Sequence, residues 1–167
     1  ALGQQITAVS GGLSTLFNAT GEYGADAFGG QTAGALSLVL SGASVATNLV
    51  ALNGGAVTLS MDGSAVVGKD TNNDVVLRIE IDGTGANAQL KTTLYEALKT
   101  TDNTKFDEST DLLTTNGSLS LKYEVTRTDG DGDVIAASDQ ITLSSSSAWC
   151  AVRARPDSLM MFGIGTS

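Results

Sequence analysis

Two stretches of this chain carry an apolar residue at every second position, and that period constrains the fold more than any other feature. In residues 75–82, Val75, Leu77, Ile79 and Ile81 share one parity, and Val76, Arg78, Glu80 and Asp82 share the other. In residues 118–128, Leu119, Leu121, Tyr123 and Val125 alternate with Ser120, Lys122, Glu124 and Thr126. Successive side chains of a strand point to opposite faces of a sheet, so each stretch reads as a strand with one buried face.

Shorter signals fill the rest of the chain. Leu13–Asn18 is expected to be a strand after the turn at Gly11 and Gly12, and Leu36–Ser41 another between Gly34 and Gly42. Val57–Met61 and Ala65–Lys69 flank Asp62-Gly63, a tight-hairpin signature. The polar run Asp70–Asp74 precedes the first alternating strand, and Gly83–Asn87 turns the chain after it. Gln89–Lys99 is ambiguous: Leu90, Leu94, Ala97 and Leu98 have helical spacing, whereas Lys91–Tyr95 is β-prone. We read strand through Tyr95. Thr100–Asp111 is polar and reads as a surface loop. Val134–Leu143 pairs naturally with the strand before it, but Asp139 shares the parity of Ile135, Ala137, Ile141 and Leu143. Either a bulge re-aims Asp139 or the acid has a partner. The expected fold class is all-β, an antiparallel immunoglobulin-like β-sandwich of about eight strands.

Composition narrows the function. Lys and Arg total 9 against 18 acids, a net charge of −9, so a polyanionic surface disfavours nucleic acid. The chain contains no His and one Cys, Cys150. That removes His-based triads and His-containing zinc sites, and rules out an intramolecular disulfide. No GxSxG elbow and no P-loop occur, and Gly29-Gly30 and Gly54-Gly55 read as turns. The expectation is a protein that is not an enzyme. No apolar stretch approaches 18 residues, so no membrane insertion is expected, and with no basic region followed by an apolar run at the amino terminus, any export would rely on sequence outside this chain.

Thirteen of the acids are Asp, and the most informative motif is built from them: Thr128-Asp129-Gly130-Asp131-Gly132-Asp133. Three carboxylates at alternate positions converge on one cation when glycines let the backbone curl. Calcium, which accepts six to eight oxygens in flexible geometry, is the natural cofactor. Asp129, Asp131 and Asp133 are therefore the candidate metal ligands. The match to an EF-hand loop is partial, with Val134 at the sixth position and Gln140 at the twelfth. The competing reading is a polar hairpin turn in which Asp-Gly pairs only supply positive φ. Glu22, Asp26, Asp70, Asp74 and Asp82 read as solvated turn acids, Asp26 being the best placed of them to meet another loop.

The last 24 residues, 144–167, differ from what precedes them. A serine run leads into the only Trp, Cys and Pro, with two of the four Arg and two of the three Met. We divide the chain into a β-sandwich module at 1–143 and an atypical tail at 144–167, read as non-native sequence or, alternatively, as a native terminal strand or the start of a neighbouring module. If Trp149, Leu159 and Phe162 order the tail, they do so by packing on a sheet.

Several segments, in order, resemble one family: Phe17 to Gly24-Ala25-Asp26, Leu36-Ser37-Leu38, Ala65–Lys69, Val75–Ile81, and Tyr123 through the TDGDGD loop. Residues 13–143 are similar to the β-sandwich modules of giant repeats-in-toxin (RTX) adhesins, secreted by type I systems of Gram-negative bacteria. Two positions depart from the family's pattern: Ala27 stands where Gly is common, and Lys99-Thr100 where a His-Pro pair is frequent. The resemblance implies an extracellular, calcium-stabilised scaffold that extends a cell-surface adhesin or positions its ligand-binding modules, in biofilm or host adhesion. Partners would be neighbouring modules of the same polypeptide, and a glycan or protein on the adhered surface. The alternative is a module that itself binds a glycan or peptide, with Tyr23, Tyr95 and Tyr123 as scattered candidates for contact.

Overall fold

The computed structural model describes residues 1–17, 28–31, 34–99, 112–145, 150–154 and 160–164. Twelve strands lie among them: β1 Gly3–Thr7, β2 Phe28–Gln31, β3 Ala35–Leu40, β4 Val45–Ala51, β5 Gly55–Asp62, β6 Ala65–Lys69, β7 Val75–Asp82, β8 Gln89–Leu94, β9 Ser118–Asp129, β10 Val134–Ser145, β11 Cys150–Ala154 and β12 Met160–Ile164. One sheet has the order β1-β8-β7-β6-β5-β4, so β4 to β8 form a continuous meander closed by β1. In the other, β9 pairs with β10 on one side and with both β2 and β3 on the opposite side. All pairings are antiparallel, and β3 lies over β5 and β7. The all-β sandwich expected from the alternation is what forms.

The core is aliphatic because the sequence has few aromatics to offer. Leu38, Leu119 and Leu121 from one sheet share a single cluster with Leu49, Val57, Leu59, Leu77, Ile79 and Leu90 from the other. Each fully buried side chain of this size contributes roughly 1.5–3 kcal/mol. In β9 the alternation works as read: Leu119, Leu121 and Val125 are buried, and Tyr123 is half-buried. On the opposite face of the larger sheet, Arg78 bonds Asp62 at 2.6 Å and Glu80 at 3.1 Å, and Lys91 approaches Glu80 at 3.3 Å. These exposed polar positions form a charge ladder across β5, β7 and β8. Glu80 is held below the usual carboxylate range, first by its bond from Arg78 and then by Lys91, against partial desolvation.

Several expectations need correction. Leu13–Leu16 is a 3-10 turn rather than a strand, and Asn18 lies outside the described residues. Leu13, Leu16 and Phe17 fall on one side of a single turn, and Leu13 and Phe17 are buried in the core. Val75 and Val76 exchange roles: Val75 is 39% exposed and Val76 fully buried. The cause is a bulge, since Gly68 pairs with Leu77 but Lys69 with Val75, leaving Val76 as the extra residue. Its carbonyl accepts the amides of both Tyr95 and Glu96, which ends β8 at Leu94. Strands β1, β2 and β4 were not anticipated. β4 buries Val45, Leu49 and Ala51 around an irregular stretch between Ala46 and Val50, so it shows no simple alternation.

Asp139 follows neither expected course. The bulge in β10 falls between Thr142 and Ser144, not at Asp139, which sits opposite Tyr123 and is exposed. Its carboxylate accepts the Gln140 amide at 2.8 Å. β10 also continues to Ser145, past the boundary set at 143, and Ser144 is fully buried. Thr100–Asp111, Trp149 and Leu159 lie outside the described residues. β11 and β12 pair with each other, and the backbone of β12 runs near β1 and β8.

Ser144 ties the end of β10 to the segment entering β9. Its hydroxyl donates to the Leu112 carbonyl at 2.9 Å and accepts the Thr114 amide at 3.1 Å, both in buried surroundings. Ser144→Ala leaves both groups unpaired, so we expect a loss of about 1–3 kcal/mol in chemical denaturation. A loss indistinguishable from zero would remove Ser144 from the body of the fold.

Candidate functional site

The hairpin between β9 and β10 turns through five residues, Asp129 to Asp133. The Asp129 amide donates to the Asp133 carbonyl at 3.0 Å, and the Gly132 amide donates back to the Asp129 carbonyl at 3.3 Å. Gly132 takes φ 98°, the left-handed conformation that closes such a turn and that glycine adopts without strain. The Asp129 carboxylate then accepts the Asp133 amide at 2.8 Å. The structure brings all three expected ligands together: one carboxylate oxygen from each of Asp129, Asp131 and Asp133 lies within 4.8 Å of the others. Asp129 is half-buried, and Asp131 and Asp133 are exposed.

The hairpin between β6 and β7 is built on the same pattern. The Asp70 amide donates to the Asp74 carbonyl at 3.0 Å, and Asn73 donates to the Asp70 carbonyl at 3.1 Å. The Asp70 carboxylate accepts the amides of Asn72 and Asp74, each at 2.9 Å, and Asn73 takes φ 69°. Asp70 was expected to be a solvated turn acid. It is instead buried, seated directly over Gly54, where any side chain at position 54 would collide with its carboxylate. An aspartate at the first position and a left-handed residue at the fourth therefore suffice for this turn. The Asn72 position shows that no central carboxylate is required.

That comparison decides what a cation at the 129–133 tip can do. Three carboxylate oxygens at this separation match the contact distances of a hard cation. The Asp129 and Asp133 carbonyls are engaged in the turn itself, so water would complete the coordination shell. The residues thus suit an open, low-affinity site in the range found in extracellular modules, on a turn that closes without metal. The Asp129 carboxyl is held below its ordinary pKa, chiefly by its hydrogen bond with the Asp131 carboxyl and further by backbone amides, against some desolvation. The part owed to the backbone amides is present above the ordinary carboxylate range and is lost as pH falls through the group's own lower value, whereas a bond between two carboxyls requires a shared proton and is absent once both are ionised.

Glu22, Tyr23 and Asp26 lie outside the described residues; the described residue next after them, Phe28, pairs with Asp129. Asp74 is exposed in the turn before β7, as expected, and Asp82 is exposed as the last residue of β7, paired with Gln89. One further concavity, a cleft of about 430 Å³, lies between the start of β3 and the β7–β8 connection. Ser14, Thr84 and Tyr123 contribute to its lining, which contains no charged side chain among the described residues. The Tyr123 ring is stacked on Phe17 at 5.3 Å and also packs against the backbone at Gly34. Tyr95 is exposed just beyond β8 and does not line the cleft, so Tyr123 is the one tyrosine there among the described residues.

The model of one family, a domain of unknown function designated DUF5801, matches residues 3–142. No curated protein and no solved structure matches the chain.

The paired turns give an ordered prediction. Asp70→Ala strips the part-buried amides of Asn72 and Asp74 of their acceptor and removes a buried side chain, and should destabilise the fold by about 1–3 kcal/mol in urea denaturation. Asp129→Ala should destabilise less, because water reaches the Asp133 amide at the exposed tip. The reverse order would show that the two turns are not equivalent.

Proposed function

We propose that this chain, which belongs to the DUF5801 family, is a non-catalytic scaffold module of a large secreted bacterial surface adhesin of the RTX type. In this reading it extends the polypeptide from the cell surface, or holds ligand-binding modules in position. The observation that carries the proposal is how chemistry-bearing side chains are distributed. Among the described residues, carboxylates converge at one place, and that place is a hairpin tip rather than an enclosed site. The body behind it is two sheets closed on an aliphatic core. The first strand, β1, and the last strand of the body, β10, belong to different sheets, and each is laddered to its neighbour along its length. Tension applied through the chain would therefore be borne by the sandwich as a whole. The net charge of −9 favours solubility and repulsion between like modules, as suits an extended array.

Calcium is the cation this tip would take. Asp129, Asp131 and Asp133 would hold it, and it would supply charge neutralisation among three crowded carboxylates. Because the turn closes on its own hydrogen bonds, the ion would stiffen the tip rather than create it. We expect chelation to lower the thermal midpoint modestly. Calcium at tenfold its Kd adds about 1.4 kcal/mol, a shift of roughly 3–5 °C for a domain of this size. Asp131→Ala should abolish the shift and leave the calcium-free midpoint nearly unchanged. Identical melts in chelator and in millimolar calcium would remove calcium from the proposal.

A second reading, a module that itself binds a glycan, draws on the cleft beside Tyr123 and its three hydroxyls. A glycan array probed with and without calcium separates the two. The scaffold reading predicts no selective binding, and a selective signal lost in Tyr123→Ala would replace it.

A further inference from the structure

The edges of the two sheets are not protected equally. The β4 edge is closed by two passing segments. Leu52 and Lys99 bond across with Ala97 and Val50, and Asn48 and Thr115 with Leu113 and Ala46. Beside β1, at the other edge of that sheet, runs the backbone of β12. β10 pairs with β9 on one side, and no described strand pairs with it on the other. Its first half is also exposed on both faces: Val134 is 64% and Ile135 63% exposed, and Ala136, Ser138 and Asp139 are exposed as well. No charged residue and no Pro occurs from Val134 to Ser138, so the residues that commonly blunt an open edge are missing from this half of the strand.

The hydrogen-bond alternation shows which amides face outward. The Asp129 amide bonds the Asp133 carbonyl, and bonded pairs in an antiparallel ladder recur at every second residue. Ile135, Ala137 and Asp139 therefore direct their amides to β9, while Val134, Ala136, Ser138 and Gln140 direct theirs to the open edge. The Gln140 amide confirms this assignment, since it donates to the Asp139 carboxylate rather than into the ladder. Asp139 thus closes the edge at position 140. At the other end Asp133, with Asp131 and Asp129 beyond it, leads into the strand. Between these acids remains a window, Val134 to Ser138, with outward amides at 134, 136 and 138 and β-branched side chains on both faces.

We propose that this window is a docking site for an extended segment of another polypeptide, which adds as a further strand beside β10. Backbone polarity sets the extended conformation, because only another strand supplies carbonyls and amides at the matching spacing. The bracketing carboxylates set the charge: the segment carries Lys or Arg at each end of a five-residue β-prone stretch. A second copy of this chain is a poor occupant, because each copy brings a net charge of −9. This proposal is independent of the scaffold reading, and its charge preference is read in chelator, because calcium held by Asp129, Asp131 and Asp133 would neutralise one of the two acidic brackets.

The test uses the full chain and two labelled peptides, each an alternating valine–threonine stretch of five residues, one ended by lysines and one by glutamates. Fluorescence anisotropy at low ionic strength should show the lysine-ended peptide binding at least about tenfold more tightly. Ser138→Pro removes one outward amide from an edge strand, where proline is tolerated, and should weaken binding about tenfold or more. Its thermal midpoint should stay near that of the parent. Asp139→Lys, which reverses the charge at one end of the window, should reduce the preference between the two peptides, so the charge argument is tested even if the proline variant fails to fold. Equal binding of both peptides by the parent chain, or no binding at millimolar peptide, overturns the proposal. So does a concentration-dependent dimer in light scattering that Ser138→Pro dissolves, because the edge would then be occupied by a second copy.

Discussion

The structure depends on one arrangement, the burial of leucines from β3 and β9 against the aliphatic face of the β4–β8 meander. Leu38, Leu119 and Leu121 enter the same cluster as Leu59, Leu77 and Leu90, and each of these is buried almost completely. Aromatics are only 5% of the chain, so no large ring can substitute for this packing. Core leucines truncated to alanine typically cost 2–5 kcal/mol, a large part of the stability of a domain this size. The short hairpins, the 3-10 turn at Leu13–Leu16 and the bulges at Val76 and Leu143 all serve to keep the two sheets in contact at that layer.

The β9–β10 hairpin shows what happens where this layer ends. Its first half belongs to the core, with Leu119 and Leu121 buried and Ser144 bridging to Leu112 and Thr114. Farther along, Ile135 keeps the apolar parity and Val134 lies on the other face, yet both are in water. Two consequences meet at this end. The tip presents three clustered carboxylates on a turn that closes by itself, and the adjacent edge of β10 presents outward amides. The first is suited to a loosely held hard cation and the second to an extended cationic segment. Both are surface properties, as expected of a module whose interior is given over to packing.

The repeated turn at Asp70 and Asp129 separates folding from chemistry. In both, the aspartate at the first position accepts the amide of the fifth, and a left-handed residue occupies the fourth. At Asp70 the carboxylate is buried over Gly54 and acts purely as structure. At the tip the same device is exposed, and Asp131 adds a carboxylate that the turn does not need. The aspartates therefore divide by surroundings, not by type.

Where an alternating stretch had one buried face, the chain alone determined the outcome. β7, β9, the Asp62-Gly63 hairpin and the convergence of Asp129, Asp131 and Asp133 follow from local rules: side-chain period, turn chemistry and spacing. Other features depend on partners distant in sequence. A bulge opposite Lys69 exchanged Val75 with Val76, and segments 97–99 and 112–115 made an edge strand of β4 despite its broken pattern. Burial at Gly54 turned Asp70 into a core residue, and the exposed β10 edge left Asp139 to cap an amide in solvent. Local periodicity states which face a side chain takes; only the assembled sheets decide whether anything lies against that face.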